Sequence, residues 1–490
     1  MKKFLILFIL VLDPYIIISE TNSYDYSSYS ATSTNQNLSG ATITSSTSGT
    51  SAVYITSSGI TITNSDISKS GDYSGSTEDT EFYGVNAAVL VQGGGLTITG
   101  GTITTSAKGG NGLVATNSGT VTISGTTIKS TGSASARGLH STYGGSITAN
   151  SVTVSSTGGS CATLATDRGE GTVTCTSCTL TTSGSGSPLI YSTGEITVSG
   201  TTGTANAAPA IVVEGKNSAT IKSSSNLKCS ASDNGRNDEC GILIYQSMSG
   251  DADTGTSSFN CESSTIEILE DSSHYGTAPM FYITNTEANI ALTGCTFIYG
   301  SGTFLKVDEG SWGTSGSNGG TVTLTLTNQD ITGDIVVGSS SSLTIKLISS
   351  TIKGTINGDK TASKLSITLD SDSKITLTGN SYYTSLTNAD SSGSNIITGS
   401  YTWSTYDDTG KSTDGNDSDN SDSNQGNSDN KNQDEKSDNS NQGNSDNKNQ
   451  DNNSDEEEED EDILPINTGF SNMINFKIVV GLILMLNIFI

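Results

Sequence analysis

Large apolar side chains are scarce in this chain of 490 residues, of which hydrophobic residues make up 32% and aromatic residues 6%. Glycine, serine and threonine fill much of the remainder. So low a content does not supply the core of a compact two-layer domain, whose apolar fraction is about 45–50%. It is enough for a solenoid, because each coil needs only a few inward residues and its backbone hydrogen-bonds to the coils on either side.

Histidine and positive charge are scarce too. The two histidines, His140 and His274, leave no basis for a zinc site or a compelling serine–histidine–aspartate triad, so we predict neither a metal site nor catalytic residues. Lysines and arginines number 22 against 50 aspartates and glutamates, which gives a formal net charge of −28. Nucleic-acid binding requires basic patches, so we expect no nucleic acid among the partners.

Much of the negative charge lies near the C-terminus. Residues 401–462 hold 20 acidic and 4 basic residues, a net −16 that leaves −12 on the rest of the chain. Within this stretch, the sequence of residues 424–434 recurs at 441–451. Such a polar, self-repelling segment buries too little apolar surface to fold. We therefore predict that residues 405–462 form a disordered stalk rich in aspartate, asparagine and serine.

An apolar-x-apolar unit recurs along most of the chain. Its first members lie 25, 26, 26, 23 and 23 residues apart over the most regular stretch, at Leu96, Val121, Ile147, Val173, Ile196 and Ala219. An earlier unit begins at Ile60, and later units begin at Phe259, Ile290, Val322, Leu343 and Leu365. A second apolar position follows seven residues after the first, at Ile103, Ile128, Val154, Leu180, Ile266 and Phe297. An insertion at residues 69–84 lengthens one step.

This pattern predicts the fold. Alternation with period two indicates strands, and a period of 20–50 residues is typical of stacked repeats. We predict an all-β fold, a β-helix over residues 24–403, with threonines facing outward between the apolar positions. A string of β-sandwiches would show hairpins and periods nearer 80–100 residues, and neither is visible.

The N-terminus has the pattern of a secretory signal. Lys2 and Lys3 precede an apolar run at residues 4–12, and Ser19 offers a cleavage point, so we predict a signal peptide over residues 1–19. A retained N-terminal anchor is the alternative. Secretion would expose three Asn-x-Ser sequons to glycosylation, at Asn37, Asn416 and Asn452.

The C-terminus has the pattern of an anchor signal. Small residues at 467–469, a spacer and the apolar run 478–490 together are typical of a glycolipid (GPI) signal. We assign it to residues 463–490, with Asn467 as the lipidation site. A plain membrane anchor and a wall-sorting signal are the alternatives, and all three place the protein at a cell surface.

The seven cysteines fall into different settings. Cys229 and Cys240 bracket a polar insertion, and we predict a disulfide between them. Four others occupy core slots of the repeat, where we expect small hydrophobic side chains or stacked core pairs, namely Cys175, Cys178, Cys261 and Cys295. Cys161 is left over.

Larger polar and aromatic side chains precede the apolar units of successive coils and align on one side. They are Arg137, His140, Tyr143, Asp167, Arg168, Glu170, Tyr191, Glu214, Lys216, Tyr245 and Gln246. With coils about 4.8 Å apart, this stripe would extend over roughly 20–25 Å, the length of four or five sugar units. We predict that the stripe binds a linear polysaccharide, with a solvated corner as the alternative.

The segments at 137–145, 165–169 and 244–251 resemble those of Ser/Thr/Gly-rich β-helix surface proteins of microbes, which are adhesin-like or carbohydrate-binding. The similarity spans most of residues 40–400. The fold of that group is similar to the pectate-lyase superfamily, so the resemblance implies a right-handed parallel β-helix. The superfamily includes lyases that use acidic calcium ligands and a basic residue. Asp167, Arg168, Glu214 and Lys216 supply those residue types, but no lyase motif matches in order or spacing.

Three hypotheses follow. The first is a non-enzymatic, surface-anchored adhesin that binds an extracellular polysaccharide or a host surface glycan. The second is a polysaccharide lyase or glycosidase on the same scaffold, for which fold analogy is the sole warrant. The third is a passive coat protein. We expect no cofactor. Calcium is a possible ligand under the lyase hypothesis.

Overall fold

The computed structural model describes residues 21–232, 236 and 238–406. The predicted signal peptide, most of the stalk, the C-terminal anchor signal and two sequons, at Asn416 and Asn452, lie outside these residues. Asn37 is exposed, and its Oδ1 accepts a hydrogen bond from the backbone N–H of Thr61 at 2.8 Å. No helix in the described part of the chain is long and apolar enough to cross a lipid bilayer.

The chain coils through three parallel sheets, to which each regular coil adds one strand apiece. Sheet 1 has 12 strands: Ala31–Thr34, Ser51–Ile55, Val89–Gln92, Leu113–Thr116, Leu139–Ser141, Leu164–Thr166, Ile190–Ser192, Ile211–Glu214, Ile242–Tyr245, Phe281–Thr284, Thr303–Val307 and Asp334–Val337. Sheet 2 has 14 strands: Leu38–Ser39, Ile60–Thr63, Gly95–Thr99, Thr120–Ser124, Gly145–Asn150, Gly171–Thr176, Glu195–Ser199, Ser218–Lys222, Thr256–Glu262, Glu287–Thr293, Thr321–Thr327, Ser342–Ile348, Lys364–Leu369 and Ser385–Asn388.

The remaining strands complete the coils. Sheet 3 has 10 strands: Thr42–Ser45, Asp66–Lys69, Thr102–Thr105, Thr127–Ser130, Thr153–Ser156, Thr179–Thr182, Thr202–Ala205, Asn226–Cys229, Thr265–Ile268 and Thr296–Ile298. Two short sheets follow in the last coils: Asp330–Thr332, Thr351–Gly354, Lys374–Leu377 and Ile396–Ile397, and then Ser381–Tyr383 and Trp403–Thr405. A 3-10 turn, Tyr26–Ser28, and one short α-helix, Thr77–Glu81, are the helical elements of the described chain. The protein is a parallel β-helix, as the repeat predicts.

Equivalent positions of the sequence repeat pair with each other in neighbouring strands. Val121 pairs with Leu96 on one side and Ile147 on the other, and Ile147 pairs with Val173. These apolar side chains are buried in one continuous core, whereas Thr122 between them is exposed. The alternation follows from the two-residue period of a strand, which sends neighbouring side chains to opposite faces.

One register differs from the sequence alignment. The unit that begins at Val322 pairs with Ala288, and Ile290 pairs instead with Leu324. This is a shift of two residues between adjacent coils. It leaves the core intact because an even shift keeps every side chain on its own face of the sheet.

A two-residue turn joins sheet 2 to sheet 3 in the regular coils. Its first residue is left-handed, with φ of 44° at Asn64, 61° at Gly125 and 54° at Ser177, a conformation in which glycine and asparagine are least strained. Its second residue is buried at Ser65, Thr126 and Thr201, and hydroxyls in these turns bond from coil to coil. The backbone N–H of Thr201, for example, donates to Oγ of Ser225 at 3.1 Å. The high content of small polar residues is therefore partly structural.

The disulfide pattern corrects one prediction. Cys229 and Cys240 are free thiols, and the bonds formed are Cys175–Cys178 and Cys261–Cys295. Cys229 packs in the core inside the coils, whereas Cys240 packs in a separate cluster with Tyr245. Because the two side chains belong to different clusters, closeness in sequence does not bring them into a bond. The four bonded cysteines are buried in the core, as stacked or turn-closing pairs.

We expect Ile147→Ala to lower the free energy of unfolding by about 2–5 kcal/mol, because it leaves a cavity in a packed column. Thr148→Ala, on the outer face of the same strand, is the matched control and should change it by less than about 0.5 kcal/mol. Urea denaturation followed by circular dichroism measures both. Equal losses for the two variants would contradict the assignment of faces.

We expect alkylation under non-reducing conditions to label Cys161, Cys229 and Cys240 only after unfolding. All three thiols are buried, and burial raises the pKa of Cys161 to about 11 and of Cys229 to about 12, so little reactive thiolate forms in the folded protein. Peptide mass mapping identifies the labelled residues. Recovery of a peptide cross-linked through Cys229 and Cys240 would show that the predicted disulfide forms after all.

Candidate functional site

The outer face of sheet 1 is covered at both ends and open between them. At one end, Leu90 and Val114 pack beneath Tyr26 and Tyr29 of the N-terminal segment. At the other, Val212, Leu243 and Tyr282 pack with Cys240 and Trp312. The N-terminal segment supplies the first cover, and loops that leave the coils at insertions supply the second. A cleft therefore lies across the middle coils.

The cleft has a volume of about 360 Å³. It is lined by Glu81, Ser135, Arg137, Ser160, Ala162, Asp167, Gly186, Pro188, Tyr191, Glu214, Arg236, Tyr245, Ser247, Ser249, Asp251 and Trp312. A smaller hollow of about 110 Å³ shares six residues with it: Gly186, Pro188, Tyr191, Arg236, Tyr245 and Trp312. That hollow adds apolar side chains from the sheet surface, including Val212 and Leu243. The site thus combines acidic, basic and aromatic groups beside an apolar patch.

A buried ion pair forms one side of the cleft. Arg137 precedes the strand Leu139–Ser141, Asp167 follows the strand Leu164–Thr166 on the next coil, and the two side chains are joined through Nη1 and Oδ2. Burial raises the pKa of Asp167 to about 7; Arg137 opposes the rise, and the charges of Glu81 and Asp251 add to it. Burial also disfavours the charge on Arg137, but the nearby carboxylates hold the pKa of its guanidinium above the ordinary value. Arg137 therefore stays charged beside a carboxyl that titrates near neutrality.

Glu214 fixes two aromatic rings in the cleft. Its Oε2 accepts hydrogen bonds from the hydroxyls of Tyr191 at 2.7 Å and Tyr245 at 2.8 Å, and its Oε1 accepts one from Ser247. Burial, followed by the charge of Glu214, raises the pKa of both tyrosines well above the ordinary value, so both remain donors. The network is possible because adjacent strands place Glu214 directly beside Tyr245.

The register also relates the two central carboxyls. Ala165 pairs with Tyr191, and Ser192 pairs with Val213 on the following coil. Extending both pairings by one or two residues places Thr193 opposite Asp167 on one side and Glu214 on the other. Asp167 and Glu214 therefore lie in one column, two coils apart. At about 4.8 Å per coil, their backbones are separated by roughly 10 Å along the stack.

Trp312 forms the wall at the C-terminal end. Its ring lies 6.1 Å from that of Tyr245, and the guanidinium of Arg236 lies over it at 4.5 Å. The hydroxyl of Ser311 donates to the carbonyl of Arg236 at 2.6 Å, which ties the two loops together. Tyr191, Tyr245 and Trp312 thus give the cleft three aromatic side chains.

The insertion after residue 69 forms the opposite wall. Its helix, Thr77–Glu81, is capped by Ser76, whose Oγ accepts a hydrogen bond from the N–H of Glu78 at 3.3 Å. The helix places Glu81 in the cleft, where its carboxylate accepts from Ser135. The backbone carbonyl of Glu81 accepts from Nε2 of His140 at 2.6 Å.

Two aromatic residues after the helix hold the insertion against the coils. Phe82 packs under the guanidinium of Arg168 at 4.0 Å, and Tyr83 stacks on Tyr143 with ring centroids 5.7 Å apart. At the start of the insertion, the ammonium of Lys69, which is buried, donates to the carbonyls of Thr47 and Gly71. The wall that carries Glu81 is therefore fixed at both ends.

The structure divides the predicted stripe. Five of its members line the cleft: Arg137, Asp167, Tyr191, Glu214 and Tyr245. The other six do not: His140, Tyr143, Arg168, Glu170, Lys216 and Gln246. His140, Tyr143 and Arg168 contact the insertion, and Gln246 donates to the carbonyls of Ser247 and Ala252 within its own loop.

Glu170 and Lys216 lie elsewhere. They form an ion pair of 2.7 Å beside a glycine-rich hollow of about 480 Å³ at the corner between sheets 1 and 2. The stripe divides because Glu170 and Lys216 fall in the turn after sheet 1 and not on its outer face. Tyr143, Arg168 and Gln246 also follow strands of sheet 1, and His140 lies on its strand under the insertion.

Sequence reasoning missed Glu81, Ser135, Arg236, Asp251 and Trp312. All except Ser135 lie in segments that lengthen the spacing between coils. Interrupted periodicity was therefore the available signal, since long loops on a rigid scaffold often carry the binding residues. Within the described chain, no group of three or more histidine, cysteine or acidic residues is arranged to hold a metal ion.

Fold and site together define a parallel β-helix protein with a lateral, aromatic-lined cleft. No family model, curated protein or solved structure was found that matches the chain.

We expect acidification to destabilise the protein through His140. Burial, aided by the charge of Arg137, lowers the pKa of this imidazole from its ordinary value of 6.5 to about 3. A lowered pKa gives stability that is complete above about pH 6.5 and is lost as the pH falls towards 3. Between these two pH values the free energy of unfolding falls by up to ~1.4 kcal/mol per pH unit.

The measurement is the free energy of urea unfolding between pH 7 and 4, compared with that of His140→Gln. The advantage of the wild type over this variant should shrink as the pH falls. His274→Gln, at the other histidine, is the matched control and should follow the wild-type curve. Parallel curves for the wild type and His140→Gln would refute the role of a buried neutral imidazole.

Proposed function

We propose that this protein binds a polysaccharide in the lateral cleft, as a non-enzymatic, adhesin-like protein of a cell surface. The observation that carries the proposal is the pair of tyrosines anchored by Glu214 next to Trp312. Aromatic rings offer apolar faces to the C–H surfaces of sugars, and the neighbouring charged groups suit their hydroxyls. Because hydrogen bonds fix both tyrosines before a ligand arrives, little ordering cost remains to be met on binding.

The polar groups of the cleft would orient the bound saccharide through hydrogen bonds. Carboxylate oxygens of Glu81 and Glu214 accept hydrogen bonds from sugar hydroxyls, and the guanidinium groups of Arg137 and Arg236 donate to hydroxyl and ring oxygens. Charge-assisted hydrogen bonds of this kind are stronger than neutral ones. The apolar hollow over Val212 adds a place for a less polar sugar face.

The surface location rests on the sequence. The secretory pattern at residues 1–19 and the anchor pattern at 463–490 would place the β-helix outside the cell, raised on the acidic stalk. Many copies on one surface would add avidity to a weak single site. The resemblance to Ser/Thr/Gly-rich surface proteins of microbes supports the same proposal.

Cleavage of the bound chain is a second candidate function. The observation that favours it is the Asp167 carboxyl, whose pKa burial raises to about 7, the range of a general acid at neutral pH. Glu214, roughly 10 Å away along the stack, would be the partner carboxylate. Hydrolysis predicts shortened products, whereas binding alone does not.

The test is isothermal titration of the full-length protein with linear oligosaccharides that a glycan array selects. We expect saturable binding, and we expect Trp312→Ala to weaken it more than tenfold, which corresponds to ~1.4 kcal/mol or more. Tyr401→Ala, at an exposed aromatic residue of the last coil, is the matched control and should bind as the wild type does.

Chromatography of the ligand after incubation separates the candidate functions. An intact ligand supports binding alone. Shortened products that disappear with Asp167→Asn support cleavage instead. An array without any bound glycan would refute both and favour the passive coat protein.

A further inference from the structure

We propose that the cleft selects saccharides that carry free amino groups over those that carry carboxylates. The inference rests on the proposed function and names the chemical class of its ligand. It follows from the charges on the cleft walls.

Negative charge exceeds positive charge in the lining. Four carboxyl side chains line the cleft against two guanidinium groups. The four are Glu81, Asp167, Glu214 and Asp251, and the two are Arg137 and Arg236. Asp167 is paired with Arg137 and Asp251 with Arg168, so the excess of carboxyls over cations rests on Glu81 and Glu214, whose partners are hydroxyl groups.

Both guanidinium groups already have partners. Arg137 is paired with Asp167, and both side chains are almost fully buried. Arg236 lies over the ring of Trp312. An anionic sugar would have to compete with these contacts for either cation.

Glu214 and Glu81 meet neutral hydroxyl donors instead of cations. Glu214 accepts from the hydroxyls of Tyr191, Tyr245 and Ser247, and Glu81 accepts from Ser135. An ammonium group near either carboxylate gains a charge–charge attraction, whereas a uronate is repelled. Asp251 is paired with Arg168 at 3.3 Å and is partly exposed at the rim.

The negative field reaches the middle of the cleft. The charges of Glu81 and Asp251 add to the effect of burial on the pKa of Asp167, even with Arg137 beside it. The rest of the protein has the same sign, since residues outside 401–462 sum to −12. A polyanionic glycan is therefore disfavoured both at long range and on contact.

The test is titration of the full-length protein with three tetrasaccharides: one of glucosamine, one of N-acetylglucosamine and one of galacturonate. The pH is near neutral, so that a part of the amino groups is charged while Asp167, with a pKa of about 7, is not fully protonated. We expect the glucosamine tetramer to bind at least about tenfold more tightly than the N-acetylated tetramer, and the galacturonate tetramer to bind most weakly.

Two variants locate the charge. Glu81→Gln should reduce the preference for the amine over the acetylated tetramer roughly three- to fivefold, the scale of one charge–charge interaction near a surface. Glu78→Gln, exposed on the same helix, is the matched control and should keep the preference. Asp251→Asn provides an independent second variant if Glu81→Gln disturbs the insertion, which near-UV circular dichroism would reveal.

The outcomes separate this inference from the proposed function. Equal or tighter binding of the acetylated or galacturonate tetramer overturns the charge selection but leaves saccharide binding in place. An amine preference that survives both Glu81→Gln and Asp251→Asn also overturns it. If no saccharide binds in the titrations or on the array, the proposed function fails and the inference fails with it.

Discussion

The backbone ladder between coils is the interaction on which the rest of the structure depends. Every regular coil satisfies its N–H and C=O groups on the coils before and after it, so coils stack in register or not at all. Register turns sequence spacing into spatial contact, as when Val121, Ile147 and Val173 become one column. A low content of large side chains is then sufficient, because each coil extends a core that its neighbours have already begun.

The cleft arises where chain length departs from that regularity. A parallel β-helix has a repetitive surface, and repetition alone offers no site that differs from its neighbours. Here the insertion that carries Glu81 and the loop that carries Trp312 rise on the outer face of sheet 1 and leave coils exposed between them. The insertion is fixed by His140, Tyr143 and Arg168, residues of the coils themselves, so the wall belongs to the folded scaffold.

Electrostatics inside the cleft are set by burial and by the choice of partners. Asp167 faces a cation at close range, yet the loss of water and the nearby carboxylates leave its pKa near 7. Glu214 has hydroxyl partners and serves to orient two rings. One ladder of strands thus places two carboxyls in one column with different roles. The site is a preorganised surface on which carboxyl groups outnumber guanidinium groups.

The sequence by itself determined the β-helix, the apolar columns, the outward threonines and five of the residues in the cleft, because each of these depends only on position within a repeat. It did not determine the two-residue shift at Val322, the cysteine pairing or the division of the stripe. Nor did it indicate that Glu81 and Trp312 meet the same coils. Those features depend on how insertions pack against the sheet and which cluster each side chain joins. Only the tertiary structure decides such contacts, since they join residues whose spacing follows no period.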